Sequence, residues 1–294
     1  GAEALVDIPP SDVNPAKTLI SALQEHSDSD DLLIAAVISS NSNQIEAILK
    51  NGQPIQISGD GLKIAKKYLA TDPQLGNKRI RKGSLIRVQK NNQNQWKITQ
   101  LPEVEAALIS IDANDGKIRA LVGGFDFYLN QFNHVTQAWR QPGSSFKPFI
   151  YSASLEKGFT PATIINDAPI YFDAAQTGSK AWEPKNFDGK FGGPIRMRVA
   201  LAQSKNLASI RILQAIGPRY AQDYIARFGF DSNRHPPYLP MALGAGSVTP
   251  LQMASGYAIF ANGGYKVEPY FIERVEDDKG NIVQQVDPLV AGQN

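Results

Sequence analysis

Charge divides this sequence before any motif does. Residues 63–97 carry ten bases (Lys63, Lys66, Lys67, Lys78, Arg79, Arg81, Lys82, Arg87, Lys90 and Lys97) against one acid, Asp72. Residues 1–50 carry eight acids and two bases, and from Val104 onward the balance is nearly even, 18 basic to 17 acidic. A single core gives no reason for charge to be sorted along the chain in this way. A boundary is therefore expected near Leu101-Pro102-Glu103, giving parts 1–103 and 104–294. The 294 residues suffice for two domains of ordinary size. With 42% hydrophobic and 20% charged residues, the chain can bury a real core. The absence of cysteine excludes a disulfide framework, thiolate zinc sites and a cysteine nucleophile. The longest apolar run, Leu32 to Ile38, is seven residues, against roughly 20 for a membrane-spanning helix. The N-terminus lacks a signal-peptide pattern, so a soluble piece is expected.

The first part reads as a small β domain over about 32–100. Leu32 to Ser39 is a buried-strand run, and Gln44 to Lys50 and Gln53 to Ser58 flank Asn51-Gly52, a strong hairpin signal. Gly61 to Ala70 has helical spacing, and Ser84 to Lys90 and Gln95 to Leu101 read as two further strands. Strands interrupted by one short helix suggest a Greek-key barrel of the OB type. Before it, only Pro15 to Gln24 is patterned, as a helix.

From Val104 the pattern is α+β. Val104 to Asp112 and Lys117 to Val122 alternate around Asn114-Asp115-Gly116, a hairpin able to enter a larger sheet. Helices are expected at about 144–157, 196–203, 207–216, 219–228 and 250–260, each bounded by Gly or Pro. Such blocks fit a sheet covered by helices.

Two short motifs could carry chemistry. Ser144-Ser145-Phe146-Lys147 is a Ser-x-x-Lys following Gln141-Pro142-Gly143. About one such match is expected by chance from twenty serines and eighteen lysines, and two occur, the other being Ser154 to Lys157. Ser144 falls in the first turn of its helix, where free N–H groups and the positive dipole end can hold negative charge. Lys147, three residues on, shares its face and can serve as a base. Ser154 and Lys157 sit in the last turn, where the dipole has the wrong sign. Ser204-Lys205-Asn206 is a Ser-x-Asn between two helices, placed to project a proton-shuttling hydroxyl and an amide into a cleft. Taken alone, each motif also reads plainly as helix capping.

Longer strings decide between these readings. Arg140-Gln141-Pro142-Gly143-Ser144-Ser145-Phe146-Lys147-Pro148-Phe149 resembles the first motif of the class A penicillin-binding proteins, the bifunctional peptidoglycan synthases. The segment from Trp182 to Ile195 resembles the one preceding their second motif, and Val199 to Asn206 matches that motif and its helix. Leu243 to Ala254, continuing through Phe260-Ala261-Asn262-Gly263-Gly264, is similar to the segment that follows. The resemblance covers most of the chain from Val104. It implies a serine β-lactamase/transpeptidase-like sheet covered by helices, C-terminally incomplete here, preceded by the small OB-like domain. It further implies a D,D-transpeptidase of peptidoglycan stem peptides, acylated by β-lactams and needing no metal or organic cofactor. Ser144 would be the nucleophile and Lys147 the base, with Ser204 relaying the proton and Asn206 holding the substrate amide. Trp182 is a candidate substrate contact at a groove lip, and Lys205 is expected to be solvated. The family's third motif, Lys-Thr-Gly or Lys-Ser-Gly, does not occur, nor do its glycosyltransferase and membrane anchor. An internal piece of a longer polypeptide is therefore expected, from the periplasmic side of the inner membrane.

His26, His134 and His235 lack metal-ligand spacing and are expected at the surface or in loops. A different class of function, a non-catalytic binding module, rests on the basic β domain, whose partner would be an anionic glycan, a nucleic acid or a regulatory cell-envelope protein. Only Tyr68 and Trp96 offer stacking surfaces there, so no nucleic-acid partner is expected.

Overall fold

The apolar run at 32–38 owes its length to burial on both faces. In the computed structural model, which describes residues 1–177 and 180–293, the first compact unit is Gly1–Val104. Its strands are β1 (Ala4–Leu5), β2 (Leu33–Ser40), β3 (Gln44–Leu49), β4 (Pro54–Ser58), β5 (Ser84–Lys90) and β6 (Trp96–Thr99), with helix α1 at Pro15–Leu23. All pairings are antiparallel, in the order β1-β5-β2-β3-β4, with β6 on β5 as well. β6 also lies beside β4, which closes the barrel. From β2, Ala35 and Val37 face an interior shared with Ile45, Ile57, Ile86 and Val88. Ile34 and Ala36 face outward and are covered by Leu19 and Leu23 of α1. A strand packed on both sides cannot alternate polar with apolar, hence the continuous run.

The helix expected at 61–70 is instead two single 3₁₀ turns, Gly59–Leu62 and Lys66–Leu69. The residues that pack inward, Leu62, Ala65 and Tyr68, recur every three positions, the 3₁₀ period. The basic run divides in two. Lys63, Lys66, Lys67, Lys78, Arg81 and Lys82 are exposed on the excursion between β4 and β5. Arg87 is internal, bound to the Glu3 carboxylate at 2.9 and 3.2 Å and to the Ser27 and Leu32 carbonyls.

The second unit is Glu105–Asn294. Strands β7 (Leu108–Ile111) and β8 (Ile118–Val122) form the expected hairpin, against which helix α8 (Pro250–Ala261) packs. Among the described residues this two-stranded ribbon is all of the helix-covered sheet. β9 (Ile164–Asp167) with β10 (Gly193–Arg196), and β11 (Arg274–Glu276) with β12 (Ile282–Gln285), are separate ribbons. The other helices are α2 (His134–Gln137), α3 (Lys147–Glu156), α4 (Ala174–Thr177), α5 (Met197–Ala202), α6 (Asn206–Ile216) and α7 (Pro218–Ile225). The core gathers Phe146, Phe149 and Ile150 with Ile210 and Leu213 of α6 and Phe228 and Phe230. Among the described residues no helix is long and apolar enough to cross a membrane.

Candidate active site

Ser144 lies in a 3₁₀ turn, Gly143–Phe146, that runs directly into α3. Phe146 and Phe149 anchor this turn in the core, leaving Ser144 and Ser145 exposed. The turn is backed by a second chain segment. Arg140 and Val248 exchange backbone hydrogen bonds at 2.9 and 3.0 Å, and the Tyr257 hydroxyl of α8 donates to the Ser145 carbonyl at 2.8 Å. Gly244, at φ 73°, lets the two backbones meet, because a Cβ there would collide with the Gly143 carbonyl oxygen. The rival Ser154 is fully buried and donates to the Tyr151 carbonyl at 2.7 Å, out of reach of any substrate.

Lys147 is buried at 1% exposure, yet among the described residues no carboxylate pairs with it. Its Nζ donates instead to the Ser204 carbonyl at 2.7 Å, Ser204 Oγ at 3.0 Å and Asn206 Oδ1 at 2.8 Å. Burial without a counter-charge lowers its pKa from 10.5 to about 8. The turn supplying these acceptors joins α5 to α6. Ser204 adopts φ 54° there, left-handed backbone that a serine rarely takes, and this aims both its carbonyl and its hydroxyl at Lys147.

Ser144, Ser204 and Asn206 line one cleft of about 390 Å³ with Asn186, Phe187, Asp188, Gln203 and Lys205. Three of the five expected site residues thus line one cleft, and a fourth, Lys147, joins them through its bonds to Ser204 and Asn206. Asn206 is committed to the protein on two sides, since besides accepting from Lys147 its Nδ2 donates to the Lys185 carbonyl at 2.8 Å. One amide hydrogen remains. Trp182 does not line the cleft. It stacks on Phe172 at 5.5 Å, bridges it through both backbone groups and packs on the core.

One expectation is corrected. Lys205 is not solvated but buried, 3.0 Å from Asp188 and 3.7 Å from Asp167, its aliphatic stem packed and its charge paired. His235 lies in a loop, just after the 3₁₀ turn Ser232–Arg234, but its side chain is buried at 1% exposure, stacked on Phe146 at 4.7 Å with neither ring nitrogen hydrogen-bonded. Among the described residues no cluster of His, Cys, Asp or Glu could hold a metal ion.

Sequence reasoning missed Asn186 and Asp167. Asn186 Oδ1 accepts from the backbone N–H of Asn206 at 2.8 Å and Leu207 at 3.3 Å. Its Nδ2 donates to Asp167 Oδ1 at 2.7 Å and the Lys190 carbonyl at 2.8 Å. The signal lay in the Trp182 to Ile195 string, which nothing in its spacing tied to the turn at 204.

Known proteins resemble this chain in sequence and fold. Residues 106–294 match the model of the penicillin-binding protein transpeptidase domain, and residues 1–104 that of the penicillin-binding protein OB-like domain. Penicillin-binding protein 1A of Neisseria flavescens is 46% identical over 294 residues, covering 100% of this chain and 36% of that protein. The crystal structure of penicillin-binding protein 1A from Haemophilus influenzae superposes with a TM-score of 0.86 at 34% identity, over 99% of this chain and 42% of that one. PonA1 of Mycobacterium tuberculosis in complex with penicillin V matches at 26% identity and a TM-score of 0.54, over 62% of this chain and 51% of that one. The chain thus spans less than half the length of the two penicillin-binding proteins 1A that it matches. With an OB-like domain followed by transpeptidase-domain sequence, it belongs to the penicillin-binding protein family.

Proposed function

We propose that the chain carries the acyl-transfer centre of a D,D-transpeptidase that cross-links peptidoglycan stem peptides. The observation that carries this reading is Lys147, a buried amine of lowered pKa, three residues from an exposed serine and held only by neutral acceptors. The three acceptors use all three hydrogens of an ammonium. Loss of one leaves a lone pair, which the amine turns away from these acceptors toward Ser144 before it takes a proton. As Ser144 Oγ attacks the carbonyl of the penultimate D-alanine, its proton passes to Lys147 Nζ, and N–H groups of the 3₁₀ turn hold the developing oxyanion. Collapse expels terminal D-alanine, whose amine takes a proton through Lys147 and Ser204 Oγ. Attack by the amine of a neighbouring stem peptide on the ester then frees Ser144 and forms the cross-link. Asn206 turns its remaining amide hydrogen toward the donor peptide. A β-lactam acylates the same serine but keeps its leaving nitrogen tethered, so the adduct persists. This chemistry belongs on the periplasmic side of the inner membrane, with the basic excursion of the first unit open to regulatory envelope proteins.

No Lys-Thr-Gly or Lys-Ser-Gly string occurs in these 294 residues, so the test uses the full-length protein. After treatment with a penicillin, digestion and mass spectrometry should map the adduct to Ser144. Ser144→Ala should abolish labelling, while Ser145→Ala and Lys157→Ala retain it. An adduct on any other serine overturns the assignment.

A further inference from the structure

Every group that holds Lys147 Nζ comes from the short turn between α5 and α6, so whatever fixes this turn fixes the base. The turn cannot cap its own helix. Lys205 stands at the N-cap of α6 and makes no side-chain capping bond, although the first N–H groups of a helix need acceptors when buried. Asn186, 95% buried and eighteen residues before Ser204, supplies that acceptor from outside, taking the N–H groups of both Asn206 and Leu207 on one oxygen. Its amide is held in turn by Asp167, fully buried at the end of β9, and by the Lys190 carbonyl. Asp167 keeps its second oxygen on the Gly192 N–H at 2.8 Å, with Lys205 Nζ 3.7 Å away. A buried carboxylate thus orients an amide, which caps a helix, which presents Ser204 and Asn206 to Lys147.

We infer that Asn186, oriented by Asp167, is a positioning residue that sets the α5–α6 turn in register with Lys147 and Ser144, an inference that rests on the acyl-transfer reading above. Aspartate at 186 keeps the capping oxygen but sets a second oxygen against Asp167 and the Lys190 carbonyl, and it adds a negative charge near Lys147. Exchanging the pair, Asn186→Asp with Asp167→Asn, restores one donor facing one acceptor between 186 and 167 and the original net charge, with the Lys190 carbonyl left without its donor at 186.

The experiment uses the full-length protein with Asn186→Ala, Asn186→Asp and the exchanged double variant, read in two ways. Acylation by a penicillin is followed against pH. Asn186→Ala should slow it by about 10- to 100-fold, the scale of a small misplacement of catalytic groups. In Asn186→Asp the acidic limb of the profile should move to higher pH, and in the double variant it should return toward the wild-type position. A merely structural role would lower the amplitude and leave the limb in place. Independently of turnover, hydrogen exchange at the Asn206 and Leu207 amides should be at least tenfold faster in Asn186→Ala, with the core of α6 still protected. Equal exchange at these two amides in wild type and Asn186→Ala, or a double variant no better than Asn186→Asp alone, overturns the inference. A wild-type protein without a Ser144 adduct would overturn the acyl-transfer reading, while the exchange data still decide what Asn186 holds.

Discussion

A lysine serves as a base only while neutral, and Lys147 meets this condition through burial rather than through a neighbouring cation. Desolvation brings its pKa down to about 8, so roughly one molecule in ten carries the free amine at pH 7 and most do at pH 9. In the full-length protein the acylation rate should accordingly climb with pH along a single limb centred near 8 and level off above it. Lys147→Arg keeps the charge and the hydrogen-bonding reach but cannot lose a proton. It should slow acylation by about 10²- to 10⁴-fold, the usual contribution of a positioned general base. Stopped-flow acylation between pH 6 and 10 checks both. A flat profile, or an arginine variant as fast as wild type, removes Lys147 from the role of base. Ser144 and Lys147 were legible from sequence because the proposed nucleophile and base lie three residues apart, within one turn. Burial of Lys147 was not, since the groups that cover it come from residues 204–206, about 60 positions away, and no local spacing reports such a contact.

Among elements, the turn between α5 and α6 concentrates the cost of assembling the site. Its Ser204 holds a left-handed φ of 54° while donating its N–H to the Leu201 carbonyl at 2.9 Å. For any residue with a Cβ this conformation costs about 1–2 kcal/mol, and glycine escapes the cost. Two variants that both lose the hydroxyl should therefore differ in stability, with Ser204→Gly more stable than Ser204→Ala by about 1 kcal/mol. Denaturant melts of the two decide it, and equal midpoints would mean the backbone relaxes once the hydroxyl is gone. Both variants lose the same acceptor of Lys147, so their acylation rates should fall together. Elements themselves were mostly visible in the sequence. All strands of the first unit but β1, which was not expected, and the five main helices of the second lie within a few residues of their expected places, because each has its own period and its own turn, Gly or Pro boundary. The segment at 61–70 was misread because Leu62, Ala65 and Tyr68 satisfy both a 3.6-residue and a 3-residue period. Only the packing of Gly61 against the Trp96 carbonyl, which leaves no room for a Cβ, shows how tightly that turn is drawn in.

Whole-molecule stability against acid should turn on one buried side chain. His235 lies inside the core of Glu105–Asn294, its ring parallel to Phe146 and edge-on to Phe230 at 5.8 Å, with Gly246 leaving space for the imidazole. Neither nitrogen has a hydrogen-bond partner, so a charge there would have nothing to compensate it. Burial lowers its pKa from 6.5 to about 4, with Asp231 opposing the shift weakly. The folded value lies below the unfolded one, which fixes the sign. Above pH 6.5 both states are neutral and nothing is lost. As pH falls from 6.5 toward 4 the unfolded chain takes up a proton that the folded chain refuses, and stability drops by about 3 kcal/mol over that window. Carboxylates add their own acid sensitivity, so the informative quantity is the difference between wild type and His235→Leu, which fills the site without a titrating group. Urea unfolding of the two at pH 7.5 and 4.5 should show wild type losing about 2–3 kcal/mol more than the variant on acidification. The difference should fall in the transition that carries the Phe146 and Phe149 core, leaving that of the Gly1–Val104 barrel, whose own core contains no histidine, unmoved. Equal losses in the two proteins would show that the imidazole finds a partner on protonation, and the acid sensitivity of the second unit would then rest on its carboxylates.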